Sequence, residues 1–181
     1  MNAKEITRYL FLVGQELEAA NVQEPIELLL IGGGYMLTQI RGSRKATGDV
    51  DAVWVQEVYS DSDIYWNLQE AILAVANTER LDLRWMNMDG SGFVHQAGPL
   101  PKMKLWKQFG PMFIYLPPKD FILAHKLVAG RKKDRADIEF LCAQLRINTR
   151  KKAQKVLDKY IGRYYQDTGH AAETLDAIFG Q

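Results

Sequence analysis

The sequence predicts a mixed α/β (α+β) protein: a small mixed sheet flanked by helices, with a helical C-terminal segment. Three observations predict it. Short, nearly continuous apolar runs bounded by proline, glycine or acids occur at residues 26–31, 49–55 and 112–116, as buried strands do. Helical stripes lie before and between them. Beyond Pro117 the pattern is helical throughout. Taken in order, Ile6, Leu10, Val13 and Leu17 form an apolar stripe on a helix over 3–20. Residues 26–31 then read as a strand, 35–42 as a short helix and 49–55 as a second strand. Ser62 or Asp63 can cap a helix carrying Ile64, Tyr65, Leu68, Ile72 and Val75. Residues 80–108 are irregular. Residues 112–116 form a third strand. A helix from about Lys119 is interrupted near Gly130, another covers about 134–145, and a last one runs from Thr149 to about Tyr165. The expected organisation is a core over 1–117 and a helical segment over 118–181.

The chain has 181 residues, 47% hydrophobic and 25% charged, which suits one domain with a small appended segment and excludes disordered, collagen-like and disulfide-rich classes. A single cysteine, Cys142, excludes an intrachain disulfide. The N-terminal 20 residues carry charges through their apolar part and lack a small-residue cleavage site, and no apolar run approaches membrane-spanning length. The expectation is a soluble cytoplasmic protein with no membrane partner. Net charge is +1, but residues 126–163 hold 12 basic and 4 acidic residues, and the remainder holds 11 basic and 18 acidic. A basic third suits a polyanion such as nucleic acid or nucleotide phosphate; a solvated lysine face explains the same run. Arg150, Lys151, Lys155 and Lys159 share a helical stripe and are the set best placed for nucleic acid.

The unit with the most chemistry is LLLIGGGYMLTQIRGSRKATGDVDAVWV. A strand ends in Gly32, Gly33 and Gly34, which open a helix, and the chain returns to a strand beginning with Asp49 and Asp51. If these strands pair antiparallel, the glycines and carboxylates share one rim of the sheet. Residues two apart on a strand face the same way, and paired carboxylates suit Mg²⁺, which is commonly held by one or two carboxylates and substrate phosphates. Glycines at a helix start let backbone N–H groups approach a phosphate. A metal beside an anion cradle is what phosphoryl or nucleotidyl transfer requires. Taken singly, the glycines also read as a tight turn, and the acids as a loop cap and a solvated strand residue. A dinucleotide site fits less well, because Leu37 stands at the third glycine position and the acids precede the second apolar run. His95, His125 and His170 lack metal-ligand spacing, and Cys142 reads as a core residue.

These residues resemble the nucleotidyltransferase superfamily, in particular small bacterial nucleotidyltransferase-like proteins related to AbiEii toxins. The run Arg44-Lys45-Ala46-Thr47-Gly48-Asp49-Val50-Asp51 is similar to that group's R-x-T-x-D-[IVL]-D. Residues 126–138, KLVAGRKKDRADI, are similar to its K-[LF]-x-A-x-R-x-K-D-x-x-D-[ILV], and Trp85-Met86-Asn87 to its W-[LM]-N. The resemblance spans about residues 28–141. It implies a nucleotidyltransferase-like fold and nucleotide binding by Gly32, Gly33, Gly34, Arg44, Thr47 and Lys126. It implies Mg²⁺, with two ions possible, on Asp49 and Asp51. Lys126, Asp134 and Asp137 would join Asp49 and Asp51 in catalysis. Lys126 would reach phosphate oxygens, and Asp134 or Asp137 would complete or support the site. On a continuous helix these three would fall in one sector. The plainer alternatives are an exposed lysine, an N-cap at Asp134, and a local pair of Asp137 with Arg131 or Lys133. The implied substrate is an NTP, the acceptor RNA (a tRNA end) or a protein, and the implied partner a cognate antitoxin. The chain departs from the family in three ways. Residues 112–116 offer no third carboxylate, with Asp82 and Asp89 candidates by type only; glycine replaces the common serine after the first glycine; and the chain is shorter than such toxins. A catalytically silent nucleotide- or RNA-binding module is therefore the alternative.

Overall fold

A computed structural model of the chain describes residues 1–40 and 42–180. It is a mixed α/β structure: a five-stranded mixed sheet flanked by helices and followed by a helical C-terminal segment. Two compact units are resolved. The first comprises residues 1–91 and 103–116, the second 92–102 and 117–181. A single division at 117 was expected; here residues 92–102 belong with the C-terminal helices.

The first unit opens with α1 (Ala3–Ala19). Asn2 accepts from the amides of Lys4 and Glu5, while Glu5 accepts from the Asn2 amide at 2.7 Å, a reciprocal cap that closes the helix start. Its stripe of Ile6, Leu10, Val13 and Leu17 is fully buried. The sheet order is β3-β2-β1-β5-β4, with β1 (Ile26–Leu30), β2 (Val50–Trp54), β3 (Met86–Asn87), β4 (Lys104–Phe109) and β5 (Met112–Leu116). β1 pairs antiparallel with β2 and parallel with β5; β2 pairs parallel with β3, and β4 antiparallel with β5. From the register, Ile26, Leu28, Leu30, Val50, Ala52, Trp54, Met112 and Ile114 share one face, and all are buried. Glu27, Leu29, Asp51, Val53, Asn87, Phe113 and Tyr115 share the other. α1 meets the first face where Gly14 lies against Phe109: a Cβ on Gly14 would stand 2.6 Å from the Phe109 carbonyl oxygen. α3 (Asp63–Glu79) packs on α1, and buried Trp85 ties the two, edge-on to Tyr9 and donating to the Ile72 carbonyl at 3.2 Å.

Between β1 and β2 lies α2 (Gly32–Gln39). The expected short helix thus begins three residues earlier, on the glycines themselves; its expected extension over Arg41 lies outside the described residues, as does Gln181. β3 and β4 appear within the stretch expected to be irregular.

The second unit contains α4 (Ser91–Ala97, from Gly92), α5 (Lys119–Ala129), α6 (Arg135–Leu145), α7 (Arg150–Tyr160), α8 (Arg163–Thr168) and α9 (Ala171–Phe179). The single helix expected over 149–165 is two. α7 ends at Tyr160, and the Gly162 amide leaves the helical ladder to donate to the Ala97 carbonyl at 2.6 Å. Thr149 caps α7 by accepting from the Lys152 amide. His125 sits among Phe121 and Phe93, its ring centroids 4.2 and 6.2 Å from theirs. Its Nδ1 is 3.0 Å from the Phe121 carbonyl, and its Nε2 is buried without a hydrogen-bond partner. Burial pushes the imidazole below its ordinary value, partly offset by the Phe121 carbonyl.

That shift has a sign. The folded chain prefers neutral His125, so its contribution is constant above the ordinary imidazole value of about 6.5. It is lost as pH falls below that value, where the unfolded chain takes up the proton first. Urea midpoints measured at pH 7.5 and 5.5 will show a larger loss for the native chain than for His125→Phe.

Candidate functional site

In the first unit the β1–β2 ladder decides what meets what. Its last rung is the Ile31 amide donating to the Asp51 carbonyl at 3.0 Å. The chain then turns into α2 through Gly32 at φ +61°, a left-handed conformation that favours glycine. Ile31 provides no side-chain cap, and the first helical bond is Tyr35 N to Ile31 O, so the amides of Gly32–Gly34 precede it.

The three glycines stand close to three different sets of side chains. A Cβ on Gly32 would run into the Asp51 carboxylate. One on Gly33 would run into Thr47 Oγ1 and stand 2.7 Å from Arg44 Nη1. One on Gly34 would crowd Leu30 Cδ1 at 3.2 Å. A tight turn alone explains the first; it does not explain the second. Asp51 lies on β2 and Asp49 immediately before it, both half-buried. The Thr47 hydroxyl reaches Asp49 Oδ1 at 3.4 Å. The loop carrying Thr47 is held by Met1, whose carbonyl accepts from the Thr47 amide at 2.9 Å. The structure thus gathers Gly32, Gly33, Gly34, Arg44, Thr47, Asp49 and Asp51 around one helix start.

The sequence pattern pointed to Asn87 only within a motif. Here β3 sets it opposite Asp51, with its amide nitrogen 3.5 Å from Asp51 Oδ1. Glu27 is a third carboxylate on the same sheet face. It stands across from Val55, four residues or about 13 Å along the strand from Asp51, and it accepts from the Tyr115 hydroxyl at 2.7 Å. That hydrogen bond raises the Tyr115 phenol above its ordinary range. Among the described residues no three His, Cys, Asp or Glu side chains form a metal-holding group. The Mg²⁺ expected on Asp49 and Asp51 would have to draw its remaining ligands from substrate oxygens and water.

Lys126, Asp134 and Asp137 lie in the second unit and come together, though not on one continuous helix. α5 stops at Gly130, which has φ +57° and no room for a Cβ beside His170. A 3₁₀ turn over Lys132–Asp134 then leads into α6. Lys126 Nζ lies 2.5 Å from Asp134 Oδ1 and 2.8 Å from Asp137 Oδ2, and the three residues are 6%, 6% and 2% exposed. The site residues thus fall in two groups, one in each unit. Asp134 occupies the N-cap position of α6 without a side-chain cap bond. Asp137 pairs with Lys126.

The basic stripe of α7 is partly consumed. Arg150 pairs with Asp176 at 2.9 Å and Lys159 with Asp120 at 2.7 Å, while Lys151 and Lys155 are exposed. The bond to Asp120 pushes the Lys159 ammonium well above its ordinary range. Among the described residues no helix is long and apolar enough to cross a membrane. Comparison of the chain with protein-family models, curated proteins and solved structures finds no match.

Two outcomes follow. Lys126→Met removes the buried cation bonded to Asp134 and Asp137 and will cost about 3–5 kcal/mol in urea unfolding; an unchanged midpoint would mark Lys126 as dispensable to the fold. Gly32→Ala will cost about 1–3 kcal/mol from strain and the Asp51 contact. Adding Asp51→Ala will recover part of that loss, whereas strict additivity would assign the whole cost to backbone strain.

Proposed function

We propose that the chain is a Mg²⁺-dependent nucleotidyltransferase that moves a nucleotide from an NTP to a hydroxyl acceptor, a tRNA-like RNA end or a protein. The observation that carries this reading is the contact of two successive glycines with the carboxylate system. Asp51 touches the Gly32 position, and Thr47, bonded to Asp49, touches the Gly33 position. Phosphate oxygens would be received by the first-turn amides of α2, with Arg44 supplying positive charge and Thr47 a hydroxyl. Mg²⁺, held by Asp49 and Asp51, would neutralise triphosphate charge and polarise the α-phosphate. The acceptor oxygen would bond to the α-phosphorus as pyrophosphate leaves, the hydroxyl proton passing to solvent. Asn87 would fix the orientation of Asp51.

A second reading, a catalytically silent nucleotide- or RNA-binding module, is favoured by Lys126. Its ammonium is engaged by Asp134 and Asp137, so the phosphate contact and the catalytic roles implied by the resemblance require those pairs to be exchanged. A toxin role, a cognate antitoxin and a cytoplasmic location are part of the proposal on the resemblance and composition alone.

Label transfer tests the reading. With Mg²⁺, each α-labelled NTP in turn, and total RNA plus cell protein, label will appear on one acceptor class and fall at least a hundredfold in Asp51→Asn. Folded protein that binds Mg²⁺–NTP but transfers no label supports the silent module.

A further inference from the structure

We propose that the open edge of the sheet at β4 takes up an extended segment of a protein partner in which acidic and apolar residues alternate. β4 ends the strand order and pairs only with β5. A strand bonded on one side leaves alternate backbone N–H and C=O groups directed away from the sheet. Among the described residues, 104–109 make no backbone hydrogen bond outside that ladder. Lys104, Leu105, Lys107 and Gln108 are exposed. β4 has six residues, and the strand at the opposite edge, β3, has two. β4 is therefore the edge with the length to template another strand.

The side chains along this edge select the strand. Lys104 and Lys107 are three apart, and on a regular strand they would face opposite ways. The register steps from Leu105 opposite Tyr115 to Lys107 opposite Ile114, so Trp106 is left without a partner on β5. This bulge brings both lysines to one face, that of Ile114 and Leu116, while Leu105 and Gln108 take the other with Tyr115 and Phe113. Neither lysine forms an ion pair among the described residues. Lys107 Nζ lies 5.6 Å from the centre of the Trp106 ring. No acid occurs between Asp89 and Asp120, a stretch that holds Lys102, Lys104, Lys107 and Lys119.

Lysines on an edge oppose pairing with a second copy of β4, because like charges would stand across the new ladder. By the same rule they favour a strand that presents acids to their face. Leu105, 45% exposed, favours apolar side chains on the other face. Backbone groups would supply the affinity, and the alternation of side chains the specificity. This surface is independent of the proposed reaction.

The test uses the full chain and a fluorescein-labelled decamer that alternates glutamate and valine. Anisotropy will give a dissociation constant at or below about 1 mM, and the peptide will slow hydrogen exchange at the amides of residues 104–109. A decamer alternating lysine and valine, and one with glutamates and valines in two blocks, will each bind at least tenfold more weakly. Two further decamers carry N-methyl groups, one on its glutamate amides and one on its valine amides. Only one of these amide sets faces β4, so one peptide will lose binding and the other keep it. Lys104→Glu combined with Lys107→Glu will reverse the preference toward the lysine–valine peptide, which only a folded edge can do. The proposal is overturned if the alternating acidic peptide fails to bind at about 5 mM, in which case the lysines only guard the edge. It is equally overturned if both N-methylated peptides bind like their parent, if the protection falls outside β4, or if the charge-reversed chain keeps the acidic preference. A free chain that sediments as a dimer with the same amides shielded would assign the edge to a second copy instead.

Discussion

The hydrogen bond from the Ile31 amide to the Asp51 carbonyl, at 3.0 Å, sets the register on which the first unit's chemistry depends. It is the final rung of a ladder that pairs Leu30 with Ala52, Leu29 with Val53 and Leu28 with Trp54. A slip of one residue would turn β2 over relative to β1, putting Asp51 and Val53 on the face of Leu28 and Leu30. The register thereby places Asp51 on the face opposite Ala52 and Trp54, at the point where the chain leaves the sheet to begin α2. The parallel strand β3 then delivers Asn87 to Asp51 by the same logic.

The second unit rests on a different constraint. Three charged groups are buried together, and isolated buried charges are costly unless paired. The pairing requires α5 and α6 to be separate helices, because Lys126 must come from the end of one and Asp137 from the start of the other. Gly130 makes that possible with its left-handed conformation. The helix dipoles act in the same direction: a cation in the last turn of α5 and an acid in the first turn of α6 each sit at the favourable end.

This explains which parts were legible in the sequence. Ile26–Leu30, Val50–Trp54 and Met112–Leu116 are buried strands and read as apolar runs. β4 is an edge strand, KLWKQF, largely exposed, so it shows neither an apolar run nor clean alternation. β3 has two residues, too few for any period. Glycines followed by Asp-x-Asp could be read as one rim because antiparallel return is a local property of consecutive strands. What Gly33 is for could not be read, since the side chains that fill its Cβ space come from Thr47 and Arg44, across a loop. The break between α5 and α6 was suggested by Gly130, but the ion cluster it permits depends on side-chain reach across the turn.

The electrostatics of the first site carry a condition of their own. Two carboxylates stand at the start of α2, where the helix dipole already favours negative charge. A phosphate brought to the same place meets both. At about 5 Å and an effective dielectric of 20, each such pair costs about 3 kcal/mol, and Arg44 provides one compensating charge. On the proposed reading, the same acids that repel a bare nucleotide would become its attachment when Mg²⁺ accompanies it. A phosphate cradle built for anions alone would not have brought Asp51 against the space of Gly32. Within the proposed reading, the closeness of Asp51 to Gly32 bears on metal-dependent binding more directly than the glycines themselves bear on phosphate.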